Sequence, residues 1–235
     1  MTQPEVLYED NHLLCILKPA GELVQGDATG DQPLVEVCMK YLKEKYDKPG
    51  AVYCAPVHRL DRPVSGVLLL ARTDKAAARL SEQFRDRKTK KIYRAVVEGV
   101  STEKEKLLCN FLRGDKRRLK TAVFPDNREG AKEAKLIYRS LAINGNRSLL
   151  EIELLTGYKH QIRAQLAYEG LPIVGDFKYD HRGSNAKMEK LLEGRAIALH
   201  ALSLTVEHPT KREPLTFVAP TPDYWPWEKE DFICP

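Results

Sequence analysis

Asp61 stands between Arg59 and Arg62 in the polar stretch VHRLDRPVSGVLLLART (57–73), which runs straight into a block of hydrophobic residues. A carboxylate at the mouth of a buried strand is partly desolvated, which raises its pKa, whereas a nearby guanidinium favours the ionised form. Only a charge partner keeps such a group ready to act. A plainer reading is open on this segment: Asp61 accepts turn hydrogen bonds from neighbouring backbone while the arginines are solvated.

A second constellation lies in LTGYKHQIRAQLAYEGLPIVGD (155–176). Thr156 and Gly157 end a strand, and the helix that follows carries His160, Gln161 and Arg163 in its first turns. A cation at a helix start opposes the macrodipole, so local stability does not explain Arg163, and an anionic partner from elsewhere would. His160 by itself reads as a packing histidine held by a hydrogen bond sooner than as a catalytic one. In FRDRKTKKIYRAVVEG (84–99), Arg85, Arg87, Lys88, Lys90, Lys91 and Arg94 surround Tyr93. Positive charge around an aromatic suits a nucleic-acid backbone and a stacked base. A solvated helix end followed by a half-buried strand tyrosine has the same composition. The basic stretch RGDKRRLK (113–120), on an apparent hairpin, is open to both readings too.

Other chemistries find no support. There is no Gly-rich phosphate loop, Gly-x-Ser-x-Gly elbow or His-Glu-x-x-His pair. His58, His160, His181, His200 and His208 are not at ligand spacing with cysteines or carboxylates, which argues against a metal site. Cofactor-free chemistry on a bound substrate remains.

These residues need a scaffold to position them. EVLYED and HLLCILKP read as strands joined at Asp10-Asn11, and Leu34, Val35, Cys38, Tyr41 and Leu42 recur at helical spacing between Pro33 and Pro49-Gly50. GVLLLAR is a buried strand, and TDKAAARLSEQFRD is a helix started by Thr73 or Asp74. Strands are predicted at KIYRAVVEGV, KLLCNFL, RLKTAVF, AKLIYRSLAI and SLLEIELLT; HQIRAQLAYEG is a short helix capped by Gly170. AIALHALSLTVEHP and PLTFVAP return to strand, and Trp225 and Trp227 are expected to cover a sheet edge, with contact to a partner the alternative. The pattern implies an α+β chain on a large, mostly antiparallel sheet.

With 235 residues and no repeat, low-complexity tract or linker-like segment, the chain is expected to form one domain with a sizeable core. Five scattered cysteines without Cys-x-x-Cys spacing read as free thiols of a reducing compartment, with the cytoplasm the simplest placement. The N-terminal residues show no secretory or transit signal, and no apolar run approaches the roughly 20 residues of a membrane span. A formal charge of +5 is compatible with an acidic partner without establishing one.

Taken together, these stretches resemble the RluA-type pseudouridine synthases. HRLDRPVSG is similar to the family's His-Arg-Leu-Asp-x-x-Thr-Ser-Gly motif except at Val64, KIYRAVVEG to its Lys-x-Tyr-x-Ala-x-Val-x-Gly motif, and TGYKHQIR to Thr-Gly-Arg-x-His-Gln-Ile-Arg with Tyr158 in place of Arg. YEDNHLLCILKPAGELV and LHALSLTVEHP extend the likeness, in the family's order, over nearly the whole chain. The resemblance implies a pseudouridine-synthase fold, a mostly antiparallel mixed sheet with covering helices and a central catalytic cleft. It implies isomerisation of uridine in structured RNA, an rRNA or tRNA stem-loop, to pseudouridine, without a cofactor. By motif position Asp61 would be the catalytic aspartate, attacking the anomeric carbon or assisting loss of the ribose 2′ proton. Arg163 would pair with Asp61, Tyr93 would stack against the uracil near the proton leaving carbon 5, and Arg59 would replace the flipped base. His58, Arg62, Lys91, His160, Gln161 and Lys18 are expected among the RNA contacts. Val64 lacks the hydroxyl of the usual Thr, and Tyr158 removes a cation. The chain is expected to be a monomer and to begin directly with its catalytic domain, without the small N-terminal RNA-binding domain often found in the family. A non-catalytic RNA-binding protein and a nucleoside-bond hydrolase are the rival readings.

Overall fold

The computed structural model describes residues 3–115, 119–179 and 191–227. In chain order its elements are β1 (Glu5–Glu9), β2 (Leu13–Lys18), α1 (Leu34–Lys45), β3 (Ala55–Pro56), β4 (Ser65–Ala71) and α2 (Asp74–Arg85). There follow β5 (Lys90–Glu98), β6 (Glu105–Asp115), β7 (Lys120–Phe124), β8 (Lys132–Asn144), β9 (Arg147–Leu154), α3 (Gln161–Tyr168), β10 (Leu199–Glu207) and β11 (Pro214–Val218). The class is α+β, as expected. The chain forms two compact units, residues 1–90 with 201–221, and residues 91–200 with 222–235.

In the first unit the strands run in the order β1-β2-β4-β10, with β3 beside β4 and β11 beside β10. The pairs β1–β2, β2–β4, β3–β4 and β10–β11 are antiparallel. Asp10 closes the first hairpin as expected: its Oδ1 accepts from the amides of His12 and Leu13, both at 2.8 Å. Leu13, Cys15, Val67, Leu69 and Ala71 pack against Ala76 and Leu80 of α2 on one face, joined by Leu204, Val206 and Phe217. Leu14, Ile16, Leu68 and Leu70 pack on the other face against Leu34, Cys38 and Leu42 of α1. A strand covered on both faces must be apolar throughout, and all seven residues of β4 are buried. Each leucine enclosed there stabilises the unit by about 1.5–3 kcal/mol. The strand is therefore a firm mount for the turn that precedes it.

Gly66 shows why that mount begins with Ser-Gly. Its φ is +120°, and a Cβ built on it would lie 2.3 Å from the carbonyl oxygen of Ala201. Only glycine lets the two backbones approach so closely. Thr73 caps α2, its hydroxyl accepting from the Ala76 amide at 3.2 Å.

The second unit orders its strands β5-β9-β8-β6-β7, each neighbouring pair antiparallel. Six successive residues of α3, Gln161 to Leu166, are buried, so this helix is enclosed on every side and its polar side chains need internal partners. Gln165 illustrates the point, donating to Asn110 Oδ1 at 2.8 Å and to the Ala134 carbonyl at 3.3 Å. The strand predicted from Ala196 starts only at Leu199. Ala198 instead joins a loop to β5, donating to Val174 O at 2.8 Å while accepting from Val96 N at 3.0 Å. Trp227 is buried, and Trp225 meets the His200 ring edge-on with centroids 6.1 Å apart. His181, Cys234 and part of the 113–120 basic stretch lie outside the described residues. Among the described residues no helix is long and apolar enough to cross a membrane.

Candidate active site

In the first unit Asp61 opens a tight turn, its carbonyl accepting from the Val64 amide at 3.0 Å, immediately before β4. The side chain is half-buried. Its support comes from Lys18, the last residue of β2, which is completely buried. The three N–H groups of its ammonium meet three carbonyl oxygens, Val64 at 2.8 Å, Pro19 at 2.9 Å and Arg62 at 3.1 Å. Burial pushes this lysine down to about 7; the carboxylates of Glu22 and Asp61 pull it upward, and Arg62 adds to the downward push. The Arg62 carbonyl also accepts from Gly21 N at 2.8 Å, and the Arg62 side chain returns the contact, Nε donating to Gly21 O at 2.9 Å. Its Nη2 pairs with Asp31 at 2.5 Å. The carbonyl-bearing backbone beside Asp61 is thus tied to the 18–21 segment by several bonds at once.

The neighbouring motif residues divide into braces and exposed groups. His58 Nε2 accepts from the Leu69 amide at 3.0 Å, and its ring stacks on Phe84 with centroids 5.1 Å apart, which pins the loop to β4 and α2. Arg59 is exposed, with no hydrogen bond or ion pair among the described residues. Val64 is buried, so the position that carries a hydroxyl in the resembling motif is here an apolar contact. Lys18 and Arg62, expected among RNA contacts, are engaged within the unit, because a turn that bends sharply into a buried strand leaves carbonyls that need donors.

In the second unit Tyr93 lies on β5 opposite Ile152 of β9 and is 9% exposed. Lys91, two residues earlier, places its Nζ 3.8 Å from the point a Cβ on Gly157 would occupy, over the turn that leads into α3. Gln161 holds that turn together. Its Oε1 accepts from Thr156 Oγ1 at 2.9 Å and Tyr158 N at 3.1 Å, and its Nε2 donates to Lys135 O at 3.1 Å. Gln161 is buried and internally bonded, so it acts as a brace where an RNA contact was expected. His160 adopts a left-handed conformation, φ 56° and ψ 21°, an uncommon choice for a residue with a side chain. Such a backbone costs on the order of 1 kcal/mol and persists only where its surroundings hold it. One such holding contact here is the Tyr179 hydroxyl, 2.8 Å from His160 Nδ1.

Arg163 is almost fully buried and makes a two-pronged pair with Asp176, Nε to Oδ2 at 2.6 Å and Nη2 to Oδ1 at 2.9 Å. The anion that its place at a helix start called for includes Asp176, thirteen residues onward. Asp176 is carried by a turn at Gly175, whose φ is +83° and where a Cβ would meet Ala196 O at 3.1 Å. Tyr179 lies behind the pair, with Arg163 Cζ 5.2 Å from its ring centroid. Burial raises the phenol's pKa, while the Thr121 amide and the Arg163 charge work against that rise. Asp176 and Tyr179 escaped the sequence reading. The demand of Arg163 for an anion, together with the Asp that follows Gly175 in the same stretch, is a signal for Asp176; for Tyr179 the local pattern holds none.

Comparison with known proteins matches residues 12–168 to the model of the family described as RNA pseudouridylate synthase. The chain belongs to the RNA pseudouridylate synthase family. By that membership it is an RNA pseudouridine synthase, an isomerase. It is 34% identical over 223 residues to the ribosomal large subunit pseudouridine synthase D of Zymomonas mobilis, covering 93% of this chain and 69% of that one. It is 31% identical to the dual-specificity RNA pseudouridine synthase RluA of Haemophilus influenzae, covering 92% of both chains. With the tRNA pseudouridine synthase C of Pectobacterium carotovorum it shares 32% identity over 93% of this chain, but spans only 59% of that relative. The fold is also that of human RNA pseudouridylate synthase domain containing 4, with a TM-score of 0.76 at 24% identity over 94% of this chain and 90% of that one.

Proposed function

We propose that this chain converts specific uridines in structured rRNA or tRNA into pseudouridine, with Asp61 as the essential carboxylate and without a cofactor. The carrying observation is the Asp61 turn itself: a half-buried carboxylate on backbone that fully buried Lys18 holds through the Arg62 and Val64 carbonyls. Packing alone does not call for an acid there, whereas a reaction that breaks the C1′–N1 bond and forms a C1′–C5 bond needs one held in place. The relatives named for the large ribosomal subunit and for tRNA support RNA of those classes as substrate.

The remaining roles follow motif position. Tyr93 lies against the uracil near the proton that leaves carbon 5. Arg163 supplies the cation that an ionised Asp61 needs in a water-poor setting. A uridine within a stem must leave the stack to react, at a cost of a few kcal/mol, and exposed Arg59 is suited to fill the gap. Lys91 contributes to RNA binding. The reading includes one catalytic domain, a monomeric state and work in the cytoplasm, the last supported by free thiols at Cys15, Cys38, Cys54 and Cys109.

The test is tritium release from RNA labelled at uridine carbon 5, because the C5 proton goes to water when the new bond forms. Wild type is expected to release tritium, and folded Asp61→Asn is expected to release none. Appreciable turnover by that variant would remove Asp61 from the mechanism. Free uracil as product would make the protein a hydrolase, and binding without release would make it an RNA-binding protein.

A further inference from the structure

Tyr179 is a buried side chain, 2% exposed, whose several polar and cationic contacts exceed what packing requires. Its hydroxyl accepts from the backbone amide of Thr121, on β7, at 2.7 Å and shares a second hydrogen bond with His160 Nδ1 at 2.8 Å. Thr121 reinforces the join, its Oγ1 donating to Lys159 O at 2.8 Å. Two cations lie near the ring, Arg163 Cζ at 5.2 Å and Lys120 Nζ at 5.9 Å from the centroid. The Tyr179 amide donates to Asp176 O at 3.2 Å, so the residue also belongs to the turn that presents the carboxylate paired with Arg163.

A guanidinium gripped along one edge by a carboxylate can still swing about that edge. An aromatic ring beneath its central carbon opposes this remaining freedom through cation–π attraction. The ring is itself held at its far end, because the hydroxyl is anchored to two separate elements, β7 and the first residue before α3. One phenol therefore sets the orientation of Arg163, the strained His160 conformation and the docking of the β6–β7 hairpin whose flank carries Lys120.

Resting on the role proposed above for Arg163, we propose that Tyr179 is a positioning residue for the isomerisation: it fixes the Arg163 guanidinium and couples its orientation to the β6–β7 hairpin. It does not itself touch the reacting atoms. Losing the ring then leaves RNA affinity intact while Arg163 loses its productive orientation, and small misplacements of a reaction-centre group cost about a hundredfold in rate.

The experiment compares Tyr179→Phe, Tyr179→Leu, Arg163→Lys and the double variant Arg163→Lys/Tyr179→Leu in single-turnover and steady-state tritium release, with thermal unfolding to verify folding. Tyr179→Phe, which keeps the ring but frees it from Thr121 and His160, is expected to lower kcat several-fold. Tyr179→Leu is expected to lower kcat by about tenfold or more, with KM for RNA within about twofold of wild type. In the Arg163→Lys background the same change is expected to do little further, because the group it positions is already altered. Folded Tyr179→Leu with wild-type kcat, a loss confined to KM, or full multiplication of the two defects would overturn the proposal. Where Tyr179→Leu does not fold, Tyr179→Phe decides by the same criterion: a lowered kcat at unchanged KM supports positioning and an unchanged kcat refutes it. Wild-type kcat in Arg163→Lys would instead overturn the reading of Arg163, and the inference with it, whatever Tyr179 does.

Discussion

Replacing Lys18 by Met keeps the length and the apolar stem of the side chain but removes the ammonium, and the structure bounds the outcome. Three hydrogen bonds from a charged donor contribute about 1.5–3 kcal/mol each. Against them stands the cost of burying the charge. A fall from the ordinary 10.5 to about 7 corresponds to about 5 kcal/mol, at about 1.4 kcal/mol per tenfold change in acidity. The difference is on the order of 2 kcal/mol in favour of lysine near neutral pH, or a fall in Tm of about 4–8 °C for a chain of this size. The pH dependence has a definite sign. A lysine whose folded pKa lies below its unfolded value binds fewer protons when folded, so between about pH 7 and 10 its contribution to stability rises with pH, by up to about 1.4 kcal/mol per unit. Methionine has no such slope. Urea denaturation of both proteins across that range should therefore show the gap widening as pH rises. Activity should fall by about tenfold or more at little changed RNA KM, since the Asp61 turn loses the Lys18 bonds to Arg62 O and Val64 O, and of these two only Arg62 O keeps a further donor, Gly21 N. A gap that stays constant with pH would refute the lowered pKa of buried Lys18, and a variant as stable and active as wild type would refute its bracing role.

Three further outcomes follow. Asp176→Asn removes the charge opposite buried Arg163 and is expected to destabilise the protein by about 3–5 kcal/mol, measured by chemical denaturation; a loss under about 1 kcal/mol would mean the pair contributes little. Gly66→Ala places a methyl group against the Ala201 backbone and should yield insoluble or strongly destabilised protein, so a wild-type melting curve would contradict the close approach of β4 and β10. Burial raises the Asp10 carboxyl, but the amides of His12 and Leu13, the His208 ring and the Tyr8 hydroxyl outweigh it and hold its pKa below the usual range. The stability this gives is present above about pH 3.9 and is lost as pH falls through the lowered folded value. Asp10→Asn should accordingly flatten the acid limb of the stability curve, and an unchanged limb would exclude this carboxylate as its source.

Much of the scaffold could be read locally. The all-apolar run of β4, the Asp10-Asn11 turn, the Thr73 cap and the spacing of α1 each depend on residues a few positions apart, and each is where the pattern put it. The enclosed helix α3 was found from its flanks, because burial on every side erases the apolar stripe that normally marks a helix. Two-residue β3 and the late start of β10 were missed, since both depend on partners distant in the chain. The Asp61, Tyr93 and Arg163 motifs were visible as residue types with unmet needs: an acid at a strand mouth, an aromatic among cations, and a cation at a helix start.

What answers those needs was not visible. Asp61 and its arginines announce a charged turn, but that Lys18 sits beneath it is a consequence of strands β2 and β4 pairing so that Lys18 lies opposite Gly66. His160 and Gln161 look like ligands for RNA; with Tyr179 and Thr156 beside them they become hydrogen-bonded braces. Local order in a sequence carries propensity, periodicity and chemical type, and these were enough for class, elements and family motifs. Which charge neutralises which, and which polar group is buried, depend on contacts between residues such as Lys18 and Val64, forty-six positions apart. Those contacts exist only once the chain has closed, because desolvation, and with it the demand for a partner, is a property of the packed environment and not of the residue.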